Sequence, residues 1–248
     1  MQLQKQLKIL LIGDSCTDEY VYGTCERLNP EAPVPILKFN RKDTTRGMAW
    51  NVRENLMSFG MEVYILTNDE PITKTRYIDE RSNQHILRVD DERPLQPMDY
   101  DLPEDEYDAL VISDYDKGFL TEKKIEELVD WFDGPVFIDS KKIKLPKKDC
   151  YLKINEVESK LLKGYKNLIV TKGAGGADYN KVNYPGEKTK IVDVVGAGDT
   201  FLSALVYFYL VCGRIEKAIP YANKAASIAV QNFGTYVVTE EDVKNLRD

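Results

Sequence analysis

The chain has 248 residues, of which 43% are hydrophobic and 30% charged, and its net charge is −7. That is enough chain for one large domain with a sizeable core, and the acidic balance excludes a general nucleic-acid binder, which is usually basic. With 1 histidine and 4 cysteines without CxxC spacing, a structural zinc site and Ser-His or Cys-His nucleophilic catalysis are poor readings.

Ile9-Leu10-Leu11-Ile12 is a continuous apolar run ending in Gly13-Asp14. It predicts a buried parallel strand whose carboxyl end carries the first polar residues. Ligands of open α/β sheets bind outside such ends. Asp14 and Asp18 are therefore candidates to accept hydrogen bonds from sugar hydroxyls, with turn-forming acids as the structural alternative. Prolines at 30, 33 and 35 forbid a helix from Arg27 onward, so an ordered loop is expected to feed an edge strand at Val34 to Phe39. Arg46-Gly47-Met48-Ala49-Trp50-Asn51 opens a helix that Gly60 closes. Gly47 suggests a close approach of backbone to a ligand, and Asn51 either aims its amide at that ligand or caps locally.

Glu62 to Thr67 reads as a second strand. Between Thr73 and Glu92 polar and apolar residues partly alternate about Arg81-Ser82-Asn83-Gln84, which predicts a hairpin with one covered face. Beside the strand at Val34 to Phe39, this hairpin would form a small sheet apart from the main core. Lys74, Arg76 and Arg88 on it could reach a ligand phosphate, or be solvated strand charges. After an acidic linker from Asp91 to Asp105, strands at Ala109 to Asp114, Pro135 to Asp139, Tyr151 to Asn155 and Leu168 to Gly173 alternate with helices from Thr121, Glu156, Ala197, Ile215 and Glu240. This rhythm predicts a parallel sheet covered on both faces. Lys141, Lys142, Lys144, Lys147 and Lys148 read as a solvated loop, because no aromatic residue is interleaved.

The strand ends carry Asp14, Asp114, Asp139, Asn155 and Thr171-Lys172-Gly173. Acids gathered at one sheet edge repel unless a cation or a hydroxyl-rich ligand joins them. Asn155 and Glu158, at i and i+3, would share a helix face and could order Mg²⁺ through its waters, or simply form a cap. The most informative stretch is Asp193-Val194-Val195-Gly196-Ala197-Gly198-Asp199-Thr200, followed by the apolar run Phe201 to Cys212. A small-residue turn opening into a helix gathers free N–H groups and the positive helix end at one anion-binding spot. Gly196, Ala197 and Gly198 would hold developing phosphate charge while Asp199 takes a proton from an attacking hydroxyl. The alternative is that Asp199 and Thr200 only cap the helix.

These pieces in this order resemble the ribokinase-type sugar kinases, the PfkB family. Within it the kinase domains of bifunctional heptose-7-phosphate kinase/heptose-1-phosphate adenylyltransferases are the most similar subgroup. The likeness covers nearly the whole chain and is most specific at Pro30-Glu31-Ala32-Pro33-Val34-Pro35. It implies an α/β fold, a ribokinase-like three-layer sandwich with a mostly parallel central sheet over residues 1–248, plus a small β lid from about 19–45 and 72–92. It implies Asp199 as base, residues 196–198 as anion hole, and Asn155 with Glu158 organising Mg²⁺. Thr171, Gly173 and Gly176 would line the nucleotide site, with Asn223 near the adenine, and Asp14, Gly47 and Asn51 would hold the sugar. ATP and Mg²⁺ are the implied cofactors, with a monovalent cation such as K⁺. The expected partners are a small-molecule sugar phosphate and a second copy of the chain through the lid, without nucleic acid or membrane. With no signal-peptide pattern at the N-terminus and no apolar run of about 18 residues, a cytoplasmic protein is expected.

Departures from the family pattern leave the activity open between a heptose 7-phosphate kinase, a kinase for another sugar or a nucleoside, and a catalytically weak binding relative. Val195 stands where the family usually has Thr, and Met48 where it has a second Gly. Between Asp69 and Pro71 roughly a helix and a strand are missing. A dinucleotide oxidoreductase is excluded, because Gly13-Asp14-Ser15-Cys16 is no Gly-rich helix start.

Overall fold

The Ile9–Ile12 run is wholly buried in the interior of a sheet, as an apolar strand covered on both sides must be. A computed structural model describes residues 6–162 and 164–247. In it β1 (Lys8–Gly13) pairs in parallel with β4 (Glu62–Thr67) on one side and β7 (Ala109–Asp114) on the other. The sheet continues in parallel through β8 (Val136–Ser140), β9 (Tyr151–Asn155) and β10 (Leu168–Thr171). Antiparallel β11 (Ala177–Tyr179) and β12 (Val182–Tyr184) finish an eight-stranded sheet of order β12-β11-β10-β9-β8-β7-β1-β4. These last strands were absent from the sequence reading, being too short for any periodicity to show.

Helices α1 (Ala49–Ser58), α4 (Ala197–Cys212), α5 (Ile215–Ala229) and α6 (Glu240–Arg247) cover one face of this sheet, where Ile9, Leu11, Val111 and Phe137 meet Leu202 and Leu205. The opposite face carries Leu10, Ile12, Ile112 and Ile138 against α2 (Glu122–Trp131) and the segments around Leu95, Met98 and Leu145. This is the three-layer α/β arrangement that the sequence predicts. The short α3 (Glu156–Ser159) follows β9 directly.

A second, four-stranded sheet has the order β3-β2-β5-β6 and comprises β2 (Ser15–Leu28), β3 (Pro35–Met48), β5 (Thr73–Asp79) and β6 (Gln84–Asp91). The hairpin at 73–91 was expected. The fourteen-residue β2 was not, and β3 runs well beyond Phe39. The cause is an inverted pattern: Cys16, Asp18, Tyr20 and Tyr22 are buried while Val21 is only partly so, and a buried aspartate hides the alternation. Residues 68–72 tie the edge strand β4 straight to this sheet. Asn68 fixes the tie, accepting the Ser15 N–H at 2.7 Å and donating to the Ser15 and Glu70 carbonyls.

Candidate active site

Strand alternation and register bring the site together. Gly13, Ser113, Asp139 and Lys153 form one row across β1, β7, β8 and β9. The side chains of Ser113, Asp139 and Lys153 lie on the face beneath α4, one step beyond the core layer that Phe137 and Tyr151 occupy. Above this row stands the glycine turn. Asp193 braces the approach to it, accepting the Val195 N–H at 3.1 Å and the Gly234 N–H at 3.0 Å. Gly196 has φ +78, a left-handed conformation that glycine adopts without penalty. A Cβ there would come within 2.8 Å of the Asn51 amide nitrogen.

Asp199 is 4% exposed. Its carboxylate does not cap α4; the N-cap is Gly196, without a side-chain cap bond. One oxygen accepts from Asn51 Nδ2 at 2.8 Å and the other from the Tyr115 hydroxyl at 2.7 Å. Burial pushes its pKa up to about 6, against the pull of those two hydrogen bonds; Asp139 adds to the rise and Lys153 opposes it. Asp14 is fully buried and behaves alike, pushed up to about 6 by burial and then by the charge of Asp114. Its Oδ2 accepts the backbone N–H groups of Tyr115 and Lys117, while its Oδ1 has no hydrogen-bond partner. Tyr115 thus touches both acids, one through its backbone and one through its hydroxyl. Desolvation holds that hydroxyl's pKa well above the usual range, so it is a donor at neutral pH.

The remaining predicted residues fall into groups. Asp18 forms a buried ion pair with Arg76 at 2.5 Å, and a Cβ on Gly47 would collide with the Asp18 carboxylate at 2.1 Å. Lys74 lies 3.7 Å from Glu92 and 5.8 Å from the Tyr115 ring centre. Arg88 is bound in bidentate fashion by Asp90 and is half exposed. Asn155 and Glu158 build a reciprocal capping box, and the second Glu158 oxygen takes the Lys141 ammonium. Thr171 donates its hydroxyl to the Ile154 carbonyl, and Gly173, at φ +54, opens a 3-10 turn. Gly176 packs against the Tyr184 carbonyl, where a Cβ would sit 2.1 Å away, and Asn223 donates to the carbonyls of Tyr184 and Pro185. Gly176 and Asn223 thus meet at the backbone of Tyr184 and Pro185, beyond β10.

The lysine loop departs from its expected solvation. Lys142 is buried against Asp114 at 3.2 Å and also pairs with Asp116. The cation that the gathered acids require is therefore partly built into the chain, as Lys142 on one face and Lys153 on the other. Sequence reasoning missed Lys153, Asp139 as its partner, and Tyr115. A charge in the middle of a strand covered on both faces was the available signal for Lys153. Met48 enters α1 at φ +57 and ψ −130 with its side chain in the core, so the sequence holds a strained non-glycine residue beside Gly47.

A family model described as pfkB family carbohydrate kinase matches residues 144–242. The Bifunctional protein HldE of Nitratiruptor sp. is 30% identical over 298 positions, which take in 96% of this chain and 64% of that relative. These matches make the chain a relative of the pfkB family carbohydrate kinases, most clearly over residues 144–242. It spans somewhat less than two thirds of that relative's length, and the 298 aligned positions exceed its own 248 residues, so the relative holds segments that this chain lacks. Two solved structures share the fold. Ribokinase of Thermotoga maritima superposes with TM-score 0.75 at 18% identity, over 97% of this chain and 99% of that one. Arabidopsis thaliana ribokinase complexed with ribose and ATP superposes with TM-score 0.71 at 14% identity, over 97% and 98%. No helix among the described residues is long and apolar enough to cross a membrane.

Proposed function

We propose that this chain transfers the γ-phosphoryl group of ATP to a phosphorylated sugar, with heptose 7-phosphate at its anomeric hydroxyl as substrate and the 1,7-bisphosphate as product. The observation that carries the reading is a buried carboxylate, Asp199, with a raised pKa, set in the first turn of a helix that opens on a glycine-rich turn. In the reaction the sugar hydroxyl gives its proton to Asp199 as its oxygen bonds to the γ-phosphorus. The bond from that phosphorus to the β–γ bridging oxygen breaks, and ADP leaves. Backbone N–H groups of residues 196–198 and the helix end steady the charge on the phosphoryl oxygens. Sugar hydroxyls are assigned to the unpartnered Oδ1 of Asp14 and to the Asn51 amide, whose Nδ2 keeps a second N–H beyond the one given to Asp199. Thr171, Gly173, Gly176 and Asn223 are assigned to the nucleotide.

Mg²⁺ accompanies ATP in such chemistry, neutralising phosphate charge. The oxygens of Asn155 and Glu158 serve the capping box and Lys141, so these residues would order Mg²⁺ through its waters and not as direct ligands. A requirement for K⁺ is a further proposal, tested by exchanging K⁺ for Na⁺. The lid sheet exposes Leu28, Val34, Phe39, Leu87 and Val89, which supports a homodimer through the lid; sedimentation equilibrium tests it. A cytoplasmic location follows from ATP as donor.

A second reading is a nucleotide-binding relative with little turnover. The strained Met48 and the double engagement of the Asp199 carboxylate favour it. ATP consumption with purified protein and a panel of sugar phosphates decides between the readings. Turnover on heptose 7-phosphate that falls by about 10²–10⁴-fold in Asp199→Asn supports the first. A loss of only a few-fold removes Asp199 as base, and tight ATP binding without turnover on any sugar supports the second.

A further inference from the structure

Lys153 occupies a position where a lysine is costly. It is 7% exposed, in the interior of a strand covered on both faces. Asp139 stands directly opposite it in the parallel register and accepts its ammonium at 2.6 Å. A buried pair of this kind is no more stabilising than well-packed apolar side chains, so neutralising Asp139 does not by itself account for it. The location of the ammonium is more telling. A Cβ on Gly198 would lie 2.9 Å from Lys153 Nζ, so the charge rests against the bare backbone of the glycine turn, at the positive end of α4. Asp139 is the one side chain among the described residues that the ammonium bonds, and an ammonium carries further N–H donors to offer an anion.

We propose that Lys153 is a catalytic residue of the phosphoryl-transfer site: Asp139 holds its ammonium beside the turn at 196–198, where it contacts the phosphoryl group in transfer and completes the anion hole. This rests on the kinase reading of the same turn. The anion site is then built from backbone N–H groups and one fixed side-chain cation, which costs no reorganisation when phosphate charge develops. The glycine at 198 acquires a reason beyond flexibility, since any side chain there would occupy the space of the ammonium.

The test compares ATP with adenosine as ligands, by calorimetry on the folded protein, so that it does not depend on knowing the sugar. Lys153→Met keeps the length and removes the charge. Asp139→Asn/Lys153→Met removes both buried charges together and guards against misfolding from an unpaired Asp139. Gly198→Ala leaves Lys153 in place but displaces its flexible end. All three are expected to weaken ATP about tenfold or more, as loss of a charge-assisted hydrogen bond does, with adenosine affinity unchanged; Lys153→Arg retains part of the ATP affinity. Equal losses for ATP and adenosine, or none for either in the double variant, would overturn the proposal and leave a structural ion pair. Wild-type protein that binds no ATP sinks both this proposal and the kinase reading. Lys153-dependent ATP binding without turnover on any sugar phosphate sinks the kinase reading and the catalytic role with it, and leaves Lys153 as a phosphate-binding residue.

Discussion

The carboxyl edge of the eight-stranded sheet and the four-stranded lid above it both bury charge, and they balance it differently. In the lid the buried charges are satisfied within the sheet: Arg76 closes on Asp18 with both side chains less than a tenth exposed, and Asp79 accepts from the Cys25 N–H and from Ser82. At the sheet edge Asp14, Asp114, Asp139 and Asp199 face only Lys142 and Lys153 among the buried cations. Asp114 and Asp139 take these lysines, and the remaining carboxylates, Asp14 and Asp199, titrate near 6. Paired charge fixes a shape, whereas unbalanced charge at a strand end is available to a substrate's hydroxyls and phosphates. The difference separates residues that hold the second sheet from those proposed above to meet the ligand.

The largest effect expected from breaking it is on stability. Arg76→Ala leaves Asp18 buried and unpaired and should cost about 3–5 kcal/mol in urea denaturation. Asp18→Asn/Arg76→Met, which removes both charges, should recover most of that loss. If Arg76→Ala leaves stability unchanged, the lid pair is not the closed unit described here. Asp14→Asn should do the opposite. Its amide oxygen can still accept the Tyr115 and Lys117 N–H groups, so the fold should hold, while kcat/KM for the sugar falls by about 100-fold. A stability loss of the size expected for Arg76→Ala would place Asp14 among the structural charges instead.

The acids near 6 also give the comparison a pH signature. Their folded pKa values lie above the ordinary carboxylate value of 3.8, so between about pH 4 and pH 6 the folded state holds protons that the unfolded chain has released. Their contribution to stability therefore falls as pH rises through that window and is constant above it. Activity runs the other way: a base that must be ionised gives a rate that climbs through about pH 6 to a plateau. Urea denaturation from pH 4 to 7 should show the slope flattened in Asp14→Asn and Asp199→Asn, and an unaltered slope in both would contradict the assignment.

Much of this arrangement was legible in the sequence, and the gaps have specific causes. Buried parallel strands read clearly because continuous apolar runs ended in polar residues at Asp14, Asp114 and Asp139. The turn at 193–200 read clearly because glycine and a charged residue rarely open an apolar helix without a reason. Strand β2 did not, because Asp18 sits inward and Val21 does not, so hydropathy reported the wrong face. The Tyr115 hydroxyl reaches Asp199 across 84 positions, a contact that only tertiary structure supplies. Asn155 and Glu158 show the converse: their spacing was legible, but cap and ligand set share one pattern, and the observed bonds are those of a cap.

The smallest expected effect is also the sharpest probe of the lid. Arg88 spends both guanidinium contacts on Asp90 and is half exposed, so Arg88→Ala should change stability by no more than about 0.5 kcal/mol. Its effect on KM for a sugar phosphate should be less than about twofold, since an exposed and already paired cation has little to give an anion. Lys74 differs: it is mostly buried beside Tyr115, and its contact with Glu92 is long, at 3.7 Å. Lys74→Met should raise KM for a sugar phosphate about tenfold and leave KM for the neutral sugar nearly unchanged. Should Arg88→Ala raise KM as much as Lys74→Met, the lid must exchange its carboxylate partners for substrate phosphate on binding, and the line drawn between paired and available charge would move from the lid's interior to its rim.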